Sequence, residues 1–190
     1  MAISLTRLQV AEKAWRLANP GMSEGETKLT IADISAFIDE AVKEVCDKIY
    51  ASDQWYYLQT SFGVTLSSGQ AALPSNVFAE SIMDSKGGRV THTSYTRPLV
   101  YAANLADLYY PQAGGSAIAM YHVVGGNSSG GVIYARTGVP ADLTGVLTIL
   151  ACAYQTFDTL SPELENDLVE MVADMAKAKM SGATTASLRQ

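Results

Sequence analysis

The chain has 190 residues and a net charge of −6, with no run of basic residues. That balance excludes a surface built to grip phosphates and leaves DNA as something that passes nearby. The length suits one domain, or one domain with an insertion, and a core that needs no staple. Charged residues make up only 17% of the chain, below the usual quarter, so apolar area is left over for subunit contacts.

The two cysteines, Cys46 and Cys152, fall on apolar stripes with no CxxC or Cys/His spacing. They read as reduced core thiols in a reducing compartment, and no metal or other cofactor is expected. The start Met1-Ala2-Ile3-Ser4-Leu5-Thr6-Arg7 lacks a basic and then apolar region, so no secretory leader is expected. The longest apolar run, Val146–Tyr154, is too short to span a membrane.

Leu5, Leu8, Ala11 and Trp15 recur at helical spacing, with Val10, Ala14 and Leu17 widening the stripe, and Asn19-Pro20-Gly21 stops the helix. So wide a stripe predicts contact with two neighbours. Thr30 and Asp33 form an N-cap pair ahead of a second helix, whose apolar stripe runs Ile31, Ile34, Phe37, Ile38, Ala41, Val42, Val45, Ile49. Asp39→Lys43 and Glu44→Lys48 support its other face, and the helix is predicted to run to Trp55.

Ser61–Leu66 and Gln70–Leu73 alternate as a strand and a return strand around Ser67-Ser68-Gly69, with Pro74 ending the pair. Phe78–Met83 and Arg89–Thr93 read as a hairpin around Asp84–Gly88. Tyr101–Tyr109 reads as a short helix, and Ile118–Val124 with Val132–Arg136 as a strand pair. Val146–Ala153 reads as a central strand buried on both faces. Ser161-Pro162-Glu163 starts a last helix with Leu164, Leu168, Met171, Val172 and Met175 inward.

The fold class is therefore α+β: a helical bundle of two N-terminal helices and a C-terminal helix, with an inserted antiparallel β-sandwich or barrel-like domain. The expected boundaries are 1–58 for the N-terminal helices, 59–155 for the β-rich domain, 156–180 for the closing helix and 181–190 for a flexible tail.

No chemistry-bearing motif appears. The only histidines, His92 and His122, have no nucleophile pattern beside them, and there is no G-x-S-x-G, H-E-x-x-H or P-loop. Glu163, Asp167, Glu170 and Asp174 form one acidic stripe, read either as a solvated face or as the lining of a pore or basic-partner interface. Gly126, Asn127, Ser128, Ser129 and Gly130 lie in a glycine-rich connector between strands, read as a flexible hairpin tip or else as a partner-contact loop. Tyr56-Tyr57 and Tyr109-Tyr110 are candidates for subunit contacts.

Three ordered motifs carry a family resemblance. They are the helices ending in a tryptophan (Ile31–Trp55), the strands Gly63-Val64-Thr65-Leu66 through Leu73-Pro74 with the later Arg97-Pro98-Leu99, and the apolar strand Leu147–Tyr154 running into Leu160-Ser161-Pro162. In this order the chain resembles the head-to-tail connector (adaptor) proteins of short-tailed bacteriophages, the family of tail-tubular protein A and the podophage head-completion adaptor. The resemblance implies a structural virion protein of the neck, not an enzyme, assembled in the host cytoplasm. It implies a homo-oligomeric ring, typically of twelve copies, between the portal protein and the tail nozzle or tube, near tail fibre proteins. Genomic DNA passes through unbound, and no membrane is involved. It also implies a portal-binding tail, here Ser181, Thr184, Leu188, Arg189 and Gln190. Two other readings compete: a tail or neck accessory module that binds a partner protein or glycan through its β domain, and a hydrolase using carboxylates the sequence does not single out.

Overall fold

The computed structural model describes residues 3–83, 87–109, 118–125, 131–137 and 141–182. The chain is mixed α and β, with four α-helices and two sheets among the described residues. Its contacts divide it into a helical unit, Met1–Ser52 with Gln155–Gln190, and a β unit, Asp53–Tyr154. The segment Trp55–Leu58, expected to end the N-terminal helices, is a 3-10 turn that belongs by its contacts to the β unit.

In the helical unit, α1 (Arg7–Ala18) is capped by Thr6, whose hydroxyl accepts from the Gln9 N–H while the Gln9 side chain accepts from the Thr6 N–H. It buries Val10, Ala11, Ala14 and Trp15, but Leu8 and Leu17, at the two margins of that stripe, stay 59% and 51% exposed. α1 packs on the helices at Ile31–Ser35 and Glu165–Ser181, the two neighbours the wide stripe predicts, and leaves its margins at Leu8 and Leu17 open.

The single long helix expected from Ile31 is two: α2 (Ile31–Ser35) and α3 (Ile38–Ala51). The break has a local cause. The Ala36 and Phe37 N–H groups reach back only three residues, to Asp33 and Ile34, which tightens the turn and interrupts the i to i−4 ladder. The N-terminal helices therefore number three, not two. Asp39 bonds Arg7 of α1 across the unit.

The closing helix α4 (Glu165–Ser181) follows a 3-10 turn at Pro162–Leu164 and ends on Gly182 in the left-handed conformation. Ser161 does not cap it, because its hydroxyl donates to the Glu163 carboxylate. α4 packs on α1 and α3 through Leu168, Met171, Val172 and Met175, as the periodicity predicts, with Ala173 and Ala176 allowing close approach.

The β unit contains β1 (Gln59–Leu66), β2 (Gln70–Ala72), β3 (Arg89–His92), β4 (Val100–Tyr101), β5 (Met120–Gly125), β6 (Gly131–Arg136) and β7 (Gly145–Cys152). One sheet has the order β1-β7-β3 and the other β2-β6-β5-β4; all pairs are antiparallel except β4 with β5. Val64, Val90, Leu147 and Ile149 of the first sheet and Ala71, Tyr121, Val123 and Ile133 of the second belong to one apolar cluster.

The turn at Ser67-Ser68-Gly69-Gln70 has positive φ at both central residues and the backbone bonds of a tight hairpin. Yet β2 does not return along β1: Gly69 already accepts from the Ala135 N–H, so the chain crosses to β6 in the other sheet. On the opposite side the Leu99 N–H donates to Val90 of β3 while the Val100 N–H donates to Ala119, which ties the two sheets together again.

Three further expectations change. Phe78–Met83 is no strand but includes a 3-10 turn at Ala79–Ile82, held because buried Ser81 donates to the Phe78 carbonyl and accepts from the Cys152 N–H, while the Tyr121 hydroxyl donates to the Ile82 carbonyl. A Cβ at Gly88 would lie 2.1 Å from the Ser81 carbonyl, so this turn demands glycine there. Tyr101–Tyr109 splits into β4 and a 3-10 turn at Leu105–Leu108. β7 is central, as predicted, but buried on both faces only toward its end: Leu147, Ile149 and Ala151 point inward, while the other face runs from exposed Val146 and Thr148 to buried Cys152.

Candidate interaction surfaces

The acidic stripe is exposed along its length. Asp167, Glu170 and Asp174 lie on α4, and Glu163 lies in the turn before it, where the Ser161 hydroxyl holds its carboxyl below the usual range. Asp174 pairs with Lys177 at 3.2 Å, so one charge of the stripe is partly offset within the helix. Among the described residues no group of three His, Cys, Asp or Glu side chains is placed to hold a metal ion. An array of exposed carboxylates without a metal geometry repels phosphate and attracts cationic groups.

Glu165 was not singled out by sequence, since it falls off the stripe, yet it gathers several partners. It accepts from the Ser4 N–H at 3.1 Å, the Ser4 hydroxyl at 2.8 Å and the Leu5 N–H at 3.3 Å, with Lys13 at 3.9 Å. Burial pushes its carboxyl up, but these donors and Lys13 hold it on balance below the usual range.

Ser181, the first residue of the expected portal-binding tail, is the last residue of α4, and its hydroxyl donates to the Ala178 carbonyl. Thr184, Leu188, Arg189 and Gln190 lie outside the described residues. So do Gly126, Asn127, Ser128, Ser129 and Gly130; the ladder leading to that loop is described as far as the pair Gly125 and Gly131.

The β unit presents a second surface. Two clefts, of about 320 and 360 Å³, share Pro98 and Val100. The first is lined by Tyr95, Thr96, Arg97, Ile118 and Ala119, and the second by Arg89, Leu99, Tyr101 and Tyr121. Val100 and Ile118 are 49% and 45% exposed. Arg89 and Arg97 meet no carboxylate among the described residues. Apolar floor, tyrosine walls and unpaired guanidinium groups are the chemistry of a recognition surface. Arg97-Pro98-Leu99 was visible as a motif, but Arg89 comes beside it only through the pairing of β3, which local sequence does not announce.

Both histidine rings are tied to the backbone, His92 through both nitrogens and His122 through Nδ1. His92 places Nε2 2.9 Å from the Thr144 carbonyl and accepts from the Ser94 N–H at Nδ1, and His122 places Nδ1 2.7 Å from the Ala102 carbonyl. Cys46 and Cys152 are free and buried, and burial pushes the Cys46 thiol up. Of the paired tyrosines, Tyr56 and Tyr109 are exposed, Tyr56 against Tyr57 and Tyr109 under the Arg136 guanidinium at 4.1 Å. No helix among the described residues is long and apolar enough to cross a membrane. In comparisons with known proteins, no family model and no curated protein matches the chain.

Proposed function

We propose that this chain is a head-to-tail adaptor of a short-tailed bacteriophage virion. In this reading it forms a homo-oligomeric ring, of about twelve copies by family resemblance, between the portal protein and the tail nozzle or tube. DNA passes through the ring, and the chain is a structural part with no enzyme chemistry or cofactor. The observation that carries the reading is the chain order: the helical unit is built from both ends of the chain, with the β unit inserted between α3 and α4. That is the order in which the three sequence motifs resemble the adaptors. We read the helical unit as a small bundle and the β unit as a sandwich with barrel-like closure, supported by the shared apolar cluster and by the Leu99 bond between sheets.

Two further features support assembly. Leu8 and Leu17 leave apolar margins on α1 for a head-to-tail neighbour, the kind of contact a closing ring needs. The exposed carboxylates of α4 suit a lumen along which DNA slides without sticking. The clefts at Pro98 favour the second reading, an accessory module of the tail or neck that binds a partner protein or glycan through its β unit.

Cryo-electron microscopy of the protein alone and mixed with portal protein tests the first reading. The expected result is a closed ring, formed in solution or only on the portal, with α4 toward the lumen. Single copies that ignore the portal overturn it and favour the accessory module.

A further inference from the structure

We propose that the outer edge of β1 is a strand-pairing site whose occupant is β1 of a second copy of this chain. β1 lies at the edge of its sheet, with β7 on one side only. The Ala153 N–H donates to the Leu58 carbonyl, and the unbroken register then alternates along the strand. Thr60, Phe62, Val64 and Leu66 therefore turn their backbone groups toward β7, while Ser61, Gly63 and Thr65 turn theirs outward. Those outward groups have no hydrogen-bond partner among the described residues, and all three residues are exposed.

Edge strands usually carry a guard such as a lysine, a proline or a bulge. From Gln59 to Leu66 there is no charge and no proline, and every residue pairs one to one with β7. The other edges are not equivalent. β3 has its outward carbonyls at Val90 and His92 taken by the Leu99 and Tyr95 N–H groups. β2 has three residues, with Gln70 tied to Ser67, and β4 has two. Among the described residues, the edge a second copy offers that matches β1 in length and openness is its own β1.

Antiparallel pairing centred on Gly63 places Gly63 against Gly63 of the second copy and Ser61 against Thr65 of the second copy. Each strand then satisfies the outward donors and acceptors of the other. Small hydroxyl side chains face each other without like charges, a favourable cross-strand pairing. The contact is two-fold and closes at two copies, so it is distinct from the head-to-tail contact of a ring and does not rest on the ring reading.

Sedimentation velocity over a concentration series, on the full chain, tests the site. The wild type is expected to associate to dimers. Ser61→Lys with Thr65→Lys sets lysine against lysine twice across the pair and weakens association by about tenfold or more. Ser61→Lys with Thr65→Glu sets lysine against glutamate in the same register and restores association to within about threefold of wild type. Both positions are exposed, and circular dichroism of each variant checks that it folds. A wild type that stays monomeric, a double-lysine variant that associates as well as wild type, or a lysine–glutamate variant as weak as the double-lysine variant each overturns the proposal. Larger rings indifferent to both variants overturn it while leaving the ring reading standing.

Discussion

The two units keep their long-range polar bonds in different places. In the helical unit the charged ones end on carboxylates near the surface, where Glu165 gathers Ser4, Leu5 and Lys13 and Asp39 takes Arg7, while the Trp15 indole donates to the Leu29 carbonyl and the Gln155 N–H to the Cys46 sulfur. In the β unit the Tyr121 and Ser81 hydroxyls donate to backbone carbonyls in the interior, and His92 sits between Thr144 and Ser94. A buried uncharged bond is insulated from salt, whereas a surface carboxylate answers to salt and to acid. The β unit therefore depends mainly on its apolar cluster and interior bonds, and the helical unit depends more on solution conditions.

The largest expected effect tests the apolar side of that comparison. Leu147 is fully buried at the centre of the β cluster. Leu147→Ala is expected to cost about 3 kcal/mol, as a buried leucine truncated beside strands that cannot collapse around the gap. Trp15 lies in the helical unit and Trp55 in the β unit, so each reports on one of them. Thermal unfolding followed in Trp15→Phe and Trp55→Phe backgrounds should show the Trp55 signal shifting more than the Trp15 signal. Equal shifts break the comparison, because the units would then unfold as one.

The next effect is smaller and depends on pH. Glu165 is held on balance below its usual range despite burial, and Asp39 is held below it chiefly by the hydrogen bond from Arg7. A carboxyl lowered by folding contributes stability above its unfolded value, near 4, and loses it as pH falls through the folded value. The helical unit should therefore weaken in acid. Glu165→Gln should cost about 1 kcal/mol at neutral pH and less in acid, as the wild-type carboxyl becomes protonated as well. Denaturant titrations read at Trp15 at neutral pH and in acid decide it. A cost unchanged in acid would mean that the glutamine fails sterically and that the charge is irrelevant.

What sequence made legible follows the same division. α1, α3 and α4 declare themselves because a helix is local: the spacing of Val42, Val45 and Ile49, or of Leu168, Val172 and Met175, is set by the residues themselves. The break at Ala36 was not legible, since it replaces one set of short-range bonds with another and leaves the apolar stripe intact. Strands β5, β6 and β7 were visible by composition, but partners were not, because pairing is a relation between distant segments. Ser67-Ser68-Gly69 carries every mark of a hairpin, and what sends β2 to β6 is the Ala135 N–H, more than sixty residues away. The acidic face of α4 was readable for the same local reason as the helix. Arg89 in one cleft with Pro98 and Leu99 was not, and neither was Glu165, whose partners Ser4 and Leu5 lie at the other end of the chain.

The smallest expected effect compares one ion pair in each unit. Arg7 and Asp39 meet through two hydrogen bonds, but their side chains are 44% and 73% exposed and each stands on a separate helix. Holding two long, solvated side chains together offsets most of the attraction, so Asp39→Asn should cost no more than about 0.5 kcal/mol. Arg136 and Asp142 are 21% and 40% exposed, and the backbone already brings them together through the Leu143 N–H on Ala135. Tyr109 lies under the guanidinium, and the site of a Cβ at Gly69 is 3.0 Å from the Asp142 carboxylate, so neither partner has far to move. Less freedom is lost when this pair forms, and Asp142→Asn should cost about 1 kcal/mol. Salt separates the two further: at about 1 M the screening length falls to roughly 3 Å, which should erase the cost at Asp39 and leave part of the cost at Asp142. If both costs vanish together, the β-unit pair is as solvated as the helical one, and its position between fixed backbone and an aromatic ring adds nothing.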